Sequence, residues 1–240
     1  MVKNNLLLIE KQDKAILVKN LFNKIAPVYD LLNNTISLGL HKRWKQVAVD
    51  LMNIRENDKV LDLCCGSGDI TGLILSKNID GIEIKAVDFS SEMLEIAKRR
   101  FDSRPEIELI QADALSLPFA DASFDHVVVS FGLRNLKCLD SGYEEIMRVL
   151  KPTGNMVNLD FGKPGFIAIR IMFNVYFGFF VPIIAKLFNN YSEYLYLSDS
   201  IKLFPSPDQL VKSMQQAGFV KAFNRNLFFG FVATQVAYKE

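Results

Sequence analysis

The stretch Val60-Leu-Asp-Leu-Cys-Cys-Gly-Ser-Gly-Asp69 is followed by Asp88, which closes the next apolar run, and by Asp113, just beyond the run after that. It reads as a β-strand entering a tight glycine turn and then a helix, with a carboxylate at the end of each of the next two strands. A doubly wound, mostly parallel sheet holds a nucleoside in this way. Gly66 and Gly68 lack a Cβ, so the backbone can turn sharply and approach a ligand closely. The dinucleotide fingerprint needs a third glycine at position 71, which is threonine, so a ligand without a pyrophosphate fits better. Asp88 stands twenty positions beyond Gly68, where an acidic side chain accepts hydrogen bonds from both ribose hydroxyls. The ligand this pattern favours is S-adenosyl-L-methionine. The plainer alternative, two glycines that only close a strand-helix turn, is weakened by the two downstream aspartates.

Around this motif, 240 residues allow one large α/β domain with a full core and leave little room for a second. Half the residues are hydrophobic, high for a chain with 23% charged residues, and 28 basic against 27 acidic side chains leave a net charge of +1. No global field draws nucleic acid, so none is expected as a partner. Cys64 and Cys65 are strand neighbours pointing to opposite faces, Cys138 stands apart, and there is no C-x-x-C spacing. A reduced, metal-free, cytoplasmic protein is the simplest expectation. The early apolar run Leu6–Ile9 is too short for a signal peptide. Between Arg170 and Lys186 fifteen residues carry no charge, but a membrane span needs about twenty, and Asn174, Gly178 and Pro182 interrupt the run. It is not read as transmembrane.

Residues 12–52 read as helical, broken by Pro27 and by Asn33-Asn34. Beyond them, strands over Val60–Leu63, Ile84–Asp88, Ile107–Gln111, Phe124–Ser130 and Asn155–Phe161 alternate with helices over about Asp69–Lys77, Ser91–Phe101 and Asp140–Leu150. Ser90 or Ser91 starts the second of these helices. An aromatic-rich insertion reaches to about Phe204; a helix over Pro207–Gly218 and a hairpin, Phe219–Leu227 and Phe231–Tyr238 around Gly230, close the chain. The expected organisation is one domain: a helical cap (1–55), a cofactor-binding half (56–161), a lid (162–205) and a C-terminal helix with hairpin (206–240).

Asp62 lies near where a methionyl ammonium would sit, or else it is a buried carboxylate capping the glycine turn. Asp113 either accepts from an adenine amino group or is a surface turn residue. Ser130-Phe-Gly-Leu-Arg-Asn135 leaves the fourth strand at its carboxyl end, where ligands sit in open α/β sheets. The Asn/Asp-Pro-Pro-aromatic signature of exocyclic-amine methylation is absent there, as is a cysteine nucleophile. Arg134 and Asn135 suit an oxygen that gains negative charge; a surface ion pair is the plainer reading of Arg134.

Leu21-Phe-Asn-Lys-Ile-Ala-Pro-Val-Tyr-Asp30, Ser37-Leu-Gly-Leu-His-Lys-Arg-Trp-Lys45, Phe131-Gly-Leu-Arg-Asn135, Arg148-Val-Leu-Lys-Pro152 and Ser200-Ile-Lys-Leu-Phe-Pro205 together resemble the ubiquinone/menaquinone C-methyltransferase family, from about residue 20 to the end. Cys64-Cys65-Gly66-Ser67-Gly68 and the stretch from Val181-Pro182 through Glu193-Tyr194 to Phe204-Pro205 are similar to the branch that methylates 2-phytyl-1,4-naphthoquinone. The resemblance implies a class I S-adenosylmethionine-dependent methyltransferase with a seven-stranded sheet. It implies cofactor contacts at Ser67, Asp88, Asp113, Ala114 and Ser130, and places Tyr29, Arg134 and Asn135 against a quinone ring. The expected substrate is a prenylated or phytylated naphthoquinol; a prenylated benzoquinol is the nearest alternative, and a non-catalytic cofactor-binding subunit of a quinone-synthesis complex is the rival from another class.

An oxidised quinone is too electron-poor to attack a sulfonium methyl group, whereas its quinol can once a hydroxyl loses a proton. Arg134 is too basic to take that proton, which leaves a bound water or His41. Flanked by Lys42 and Arg43, His41 also reads as a solvated surface residue, and His126 as the start of a strand. Phe173, Tyr176, Phe177 and Phe180 recur at helical spacing. They form either core or a lid that meets the lipid tail and, transiently, a membrane surface. The oligomeric state is left open.

Overall fold

Short β-branched runs that are apolar on both sides need cover on both faces, and the strands obtain it. The computed structural model describes residues 11–187 and 191–240; the side chains of 11–13, 185, 187 and 191–195 lie outside the description, as does the Leu6–Ile9 run. Seven strands form one sheet: β1 (Lys59–Leu63), β2 (Glu83–Asp88), β3 (Ile107–Gln111), β4 (Phe124–Ser130), β5 (Leu150–Phe161), β6 (Lys221–Leu227) and β7 (Val232–Tyr238). Their order is β3-β2-β1-β4-β5-β7-β6, parallel except for β7, which runs antiparallel to both neighbours.

Alternation along the strands assigns the faces. Val60 and Val128 pack with α3 (Leu40–Met52) and α4 (Asp69–Leu75). Leu61, Leu63, Val127 and Val129 pack with α6 (Leu139–Val149) and α10 (Pro207–Gln216). On the face of α3 and α4, α5 (Ser91–Arg100) lays Leu94 on Ala86 and Leu109, and Ser90 caps it by accepting from the Met93 N–H at 3.2 Å. Strand order reverses at β1 and β4, whose carboxyl ends diverge and leave a crevice for a ligand.

Three expectations need correction. The N-terminal segment forms α1 (Lys11–Ile25), a short 3₁₀ turn with Pro27, and α2 (Tyr29–Ser37) before α3. Its second break falls at Leu38-Gly39, both in the left-handed region (φ +50° and +75°), and not at Asn33-Asn34. Asn34 stays inside α2 because its amide donates to the Asp30 carbonyl at 2.8 Å. β5 begins at Leu150 rather than Asn155, because the buried Leu150 pairs with Phe124 before a register shift brings Asn155 opposite His126. β6 begins at Lys221, and Phe219 goes into the core instead.

The insertion is helical: α7 (Ile167–Val175), a π turn (Tyr176–Phe180), α8 (Val181–Leu187) and, beyond residues 188–190, α9 (Tyr191–Leu203). The π turn shifts the helical phase, so the four aromatics do not share one face. Phe173 and Phe177 are buried in the core, Tyr176 is half-buried, and Phe180 is 51% exposed. Ile167–Ile184 is long and apolar enough to cross a membrane by length and composition, although Phe173, Phe177 and Val181 tie one of its faces into the core.

Candidate active site

At the carboxyl ends of β1, β2 and β4 lies a cavity of about 100 Å³, walled by Cys64, Gly66, Asp88, Asp113, Ala114, Ser130 and Phe131 and roofed by Val18 and Phe22 of α1. Asp88 Oδ2 accepts the Gly66 N–H at 2.8 Å and Oδ1 the Ser90 N–H at 2.8 Å. These bonds lock the carboxylate between glycine turn and helix cap and leave an acceptor site on each oxygen. Burial pushes its pKa up. Asp113 Oδ1 accepts the Leu115 N–H at 3.0 Å. The Ser130 hydroxyl is buried without a hydrogen-bond partner among the described residues. A nucleoside offers donors and acceptors that these groups lack, and the apolar Val87, Met93 and Ala114 suit a base. The smaller cavity therefore fits the adenosine part of S-adenosylmethionine.

Five of the eight predicted cofactor residues, Gly66, Asp88, Asp113, Ala114 and Ser130, line this cavity; Asp62, Ser67 and Gly68 stand behind it. Asp62 is 1% exposed, and its Oδ2 accepts from the Thr71 N–H at 3.0 Å and the Thr71 hydroxyl at 2.6 Å, capping α4. Of the two roles left open for Asp62, the cap has the visible hydrogen bonds; burial pushes its pKa up to about 6. The same bonds explain why position 71 is threonine. Ser67 donates to Asp30 Oδ1 at 2.7 Å, tying the glycine turn to the helical cap instead of facing the cavity. At Gly68 (φ +85°) a Cβ would come within 2.4 Å of the Phe101 ring, so this glycine serves helix packing.

A second cavity, of about 270 Å³, adjoins the first and shares Phe22, Tyr29, Phe131 and Asn135 with it. Its walls are mainly apolar, from Leu21, Trp44, Phe161, Met172, Tyr176, Phe177, Phe228 and Phe231. All four residues expected to face a substrate, Tyr29, His41, Arg134 and Asn135, line it. Arg134 is buried, not a surface partner: Nη1 donates to Asp160 Oδ1 at 2.8 Å and to the Phe131 carbonyl at 2.7 Å. Its guanidinium lies 5.2 Å from the Phe161 ring centroid and 5.7 Å from that of Phe131. Burial raises the pKa of Asp160 and Arg134 opposes that rise.

Asp160 was not singled out from the sequence, yet it repeats the signal that marked Asp88, a carboxylate near the end of a parallel strand. Lys14 was also missed; its Nζ donates to the carbonyls of Arg134 at 3.2 Å and Leu136 at 2.6 Å, pinning the turn that carries Arg134 and Asn135. Tyr196 of α9 donates to Asn135 Oδ1 at 3.4 Å, and burial pushes its phenol up to about 12.

His41 is 6% exposed, which corrects its reading as a solvated residue. Nδ1 lies 2.7 Å from Ser37 Oγ, and Nε2 lies 3.8 Å from Asp69 Oδ2. Asp69 is itself bonded by Lys45 at 2.7 Å and Arg100 at 2.8 Å. Burial first, and Lys45 second, lower the His41 pKa. His126 lies within β4, bonded to Asn155 at 2.8 Å and Asp58 at 2.9 Å, and lines neither cavity.

The profile of the ubiE/COQ5 methyltransferase family matches residues 9–239. The chain is 39% identical over 225 residues to the demethylmenaquinone methyltransferases of Staphylococcus aureus strains JH9 and Newman, covering 93% of either partner. Among solved structures it is similar to a SAM-dependent methyltransferase, possible histamine N-methyltransferase, of Thermotoga maritima, with TM-score 0.67 and 18% identity over 92% of this chain and 99% of that one. It is also similar to a SAM-dependent methyltransferase of Aquifex aeolicus, with TM-score 0.59 and 16% identity over 82% and 89% of the two chains. At such identities the shared property is the fold.

Proposed function

Because the chain belongs to the ubiE/COQ5 methyltransferase family, whose members are S-adenosylmethionine-dependent, we propose that this enzyme methylates a ring carbon of a prenylated naphthoquinol. The observation that carries this reading is the wall between the two cavities. Tyr29, Phe131 and Asn135 border both, so a ring held in the larger apolar cavity reaches the reacting end of a cofactor held in the smaller. S-adenosylmethionine, when bound, supplies an electrophilic methyl group.

The chain's own side chains do the rest. Asp88 binds the ribose, with Asp113, Ala114 and Ser130 beside the remainder of the nucleoside. Tyr29 and the rings of Phe131 and Phe161 position the quinol, and Arg134 and Asn135 steady the phenolate oxygen as charge grows on it. With its guanidinium held against Asp160, Arg134 is a fixed cation and not a proton acceptor. The apolar walls exclude water, which strengthens that charge stabilisation.

Phe166, Ile171, Phe179 and Phe180 of the lid and Phe229 of the β6–β7 turn are exposed, and we propose that these apolar side chains meet a bilayer transiently while the lipid tail enters. The demethylmenaquinone named for the relatives favours a naphthoquinol ring; the lid residues shared with the 2-phytyl branch favour a phytyl tail, which makes 2-phytyl-1,4-naphthoquinol the substrate proposed. Anaerobic methyl-transfer assays with phytyl- and polyprenyl-tailed demethylnaphthoquinols and with a tailed benzoquinol, each with and without reductant, test this. Turnover is expected only with reductant and fastest on the phytyl naphthoquinol. Equal rates on the oxidised quinone overturn the phenolate chemistry, and a faster benzoquinol overturns the ring assignment.

A further inference from the structure

The larger cavity has many walls and few bases. Among the described residues its ionisable lining consists of Tyr29, Tyr176, Tyr196, Lys45, Arg134 and His41. The phenols titrate far above neutrality in ordinary circumstances, Lys45 and Arg134 are cations bonded to carboxylates, and His41 alone has a lone pair to offer near pH 7.

The hydrogen bonds around His41 determine which nitrogen carries that lone pair. Ser37 Oγ has one proton and two lone pairs; it lies 2.6 Å from the Asn33 carbonyl and 2.7 Å from His41 Nδ1, and it accepts the His41 backbone N–H at 3.4 Å. A carbonyl oxygen only accepts, so the hydroxyl proton lies toward Asn33. Oγ must then accept from His41, which puts the imidazole proton on Nδ1 and leaves Nε2 bare. The left-handed turn at Leu38-Gly39 brings α3 back so that Ser37, at the end of α2, meets His41 in its first turn.

Resting on the quinol reading above, we infer that His41 Nε2 is the acceptor of the ring-hydroxyl proton and that Ser37 is the positioning residue that makes Nε2 the basic nitrogen. The O–H bond breaks with its electron pair left on oxygen, and an N–H bond forms at Nε2. Once the ring carbon has gained its methyl group, it sheds its own hydrogen as a proton to water, and Nε2 returns its proton to the ring oxygen; one proton per turnover reaches solvent. The charges around the imidazole suit this cycle. Lys45 and Lys42 of α3, with burial, keep it neutral at rest, while Asp69 of α4 and Asp30 of α2 favour the imidazolium once it forms. At 3.8 Å, Asp69 Oδ2 is too far to hydrogen-bond Nε2 in the resting state. Arg100 of α5 bridges Asp69 and Asp30 at 2.8 Å and 2.6 Å, which tempers both.

The chain has two histidines, so long-range ¹H–¹⁵N spectra of the labelled whole protein resolve both imidazoles. The expected His41 carries its proton on Nδ1 and titrates below the ordinary histidine value; Ser37→Ala shifts it toward the other tautomer and Ser37→Thr keeps it. In anaerobic assays His41→Gln is expected to lower kcat about a hundredfold or more and abolish the acid limb of the kcat/KM profile, with unchanged calorimetric affinity for S-adenosylmethionine. A wild-type His41 protonated on Nε2 overturns the inference whatever the substrate is. So does a His41→Gln enzyme that melts like the parent and retains both rate and acid limb. A wild-type enzyme with the expected tautomer but no turnover of any quinol overturns the substrate reading, and the role of base with it.

Discussion

Arg134 holds a buried ion pair with Asp160, and its proposed part in catalysis is confounded with that structural role by one substitution and separated from it by a pair. Arg134→Met strips a buried carboxylate of its cation: Asp160 is 1% exposed, its Oδ2 has no hydrogen-bond partner among the described residues, and its Oδ1 would keep the Phe161 N–H at 2.8 Å. Breaking a buried ion pair from one side costs about 3–5 kcal/mol. The retained bond and the freedom of Asp160 to take up a proton place this case near the lower end of that range. At roughly 2–4 °C per kcal/mol for a chain of this size, the melting temperature should fall by about 6–12 °C. Adding Asp160→Asn removes the stranded charge, keeps an acceptor for the Phe161 N–H and leaves the introduced thioether chain between the Phe131 and Phe161 rings. Most of the stability should return, since exchanging a whole buried pair for neutral groups is often close to neutral. The rate should not return. A donor aimed at charge that develops in the transition state is worth about 10²- to 10³-fold in kcat, and both variants lack the cationic donor at position 134. Thermal melts run beside anaerobic single-turnover assays measure both quantities on the same preparations. A double variant that recovers melting temperature and rate together would make Arg134 purely structural. A single variant that melts like the parent would refute the energetics of the buried pair.

Asp88→Ala should weaken S-adenosylmethionine binding by about 1–3 kcal/mol in calorimetry, the cost of a lost polar partner in a buried site; an affinity equal to the parent's refutes the ribose assignment. The π turn separates two aromatics that the sequence groups together. Phe177→Ser should cost about 3–5 kcal/mol of stability, because its ring packs 4.6 Å from Phe173 and 5.1 Å from Phe161, and should depress turnover of long-tailed and tailless quinols alike. Phe180→Ser, at a half-exposed position, should leave the melt within about 0.5 kcal/mol and slow only the long-tailed substrate. Equal damage to both substrates from Phe180→Ser would remove the lid surface from the path of the tail.

The cofactor half of this fold was legible because its signals are local. Strand, glycine turn and terminal carboxylate lie within a few residues of one another, so Gly66, Asp88 and Asp113 meet at one cavity as their order along the chain foretells. Asp62 and Ser67 sit in the same motif but turn their polar atoms to Thr71 and Asp30, a choice made by partners on other elements. The substrate half depends on such partners throughout, and it was less legible for that reason. Asp160 gains its meaning from Arg134, twenty-six positions away. The π turn is a tertiary accommodation that no residue in Tyr176–Phe180 announces. His41 is the most instructive case. Lys42 and Arg43 made it look solvated, but on a helix adjacent residues point about 100° apart, so a neighbour's charge says nothing about the face a side chain occupies. The periodicity says more: His41, Lys45, Ala48, Val49 and Met52 follow helical spacing and are all buried. A histidine and a lysine on the stripe that the rest of the helix reserves for aliphatic groups must find polar partners or a ligand. Lys45 takes Asp69 and His41 Nδ1 takes Ser37, which leaves Nε2 as the polar atom on that stripe with no hydrogen bond among the described residues, on a side chain that lines the larger cavity.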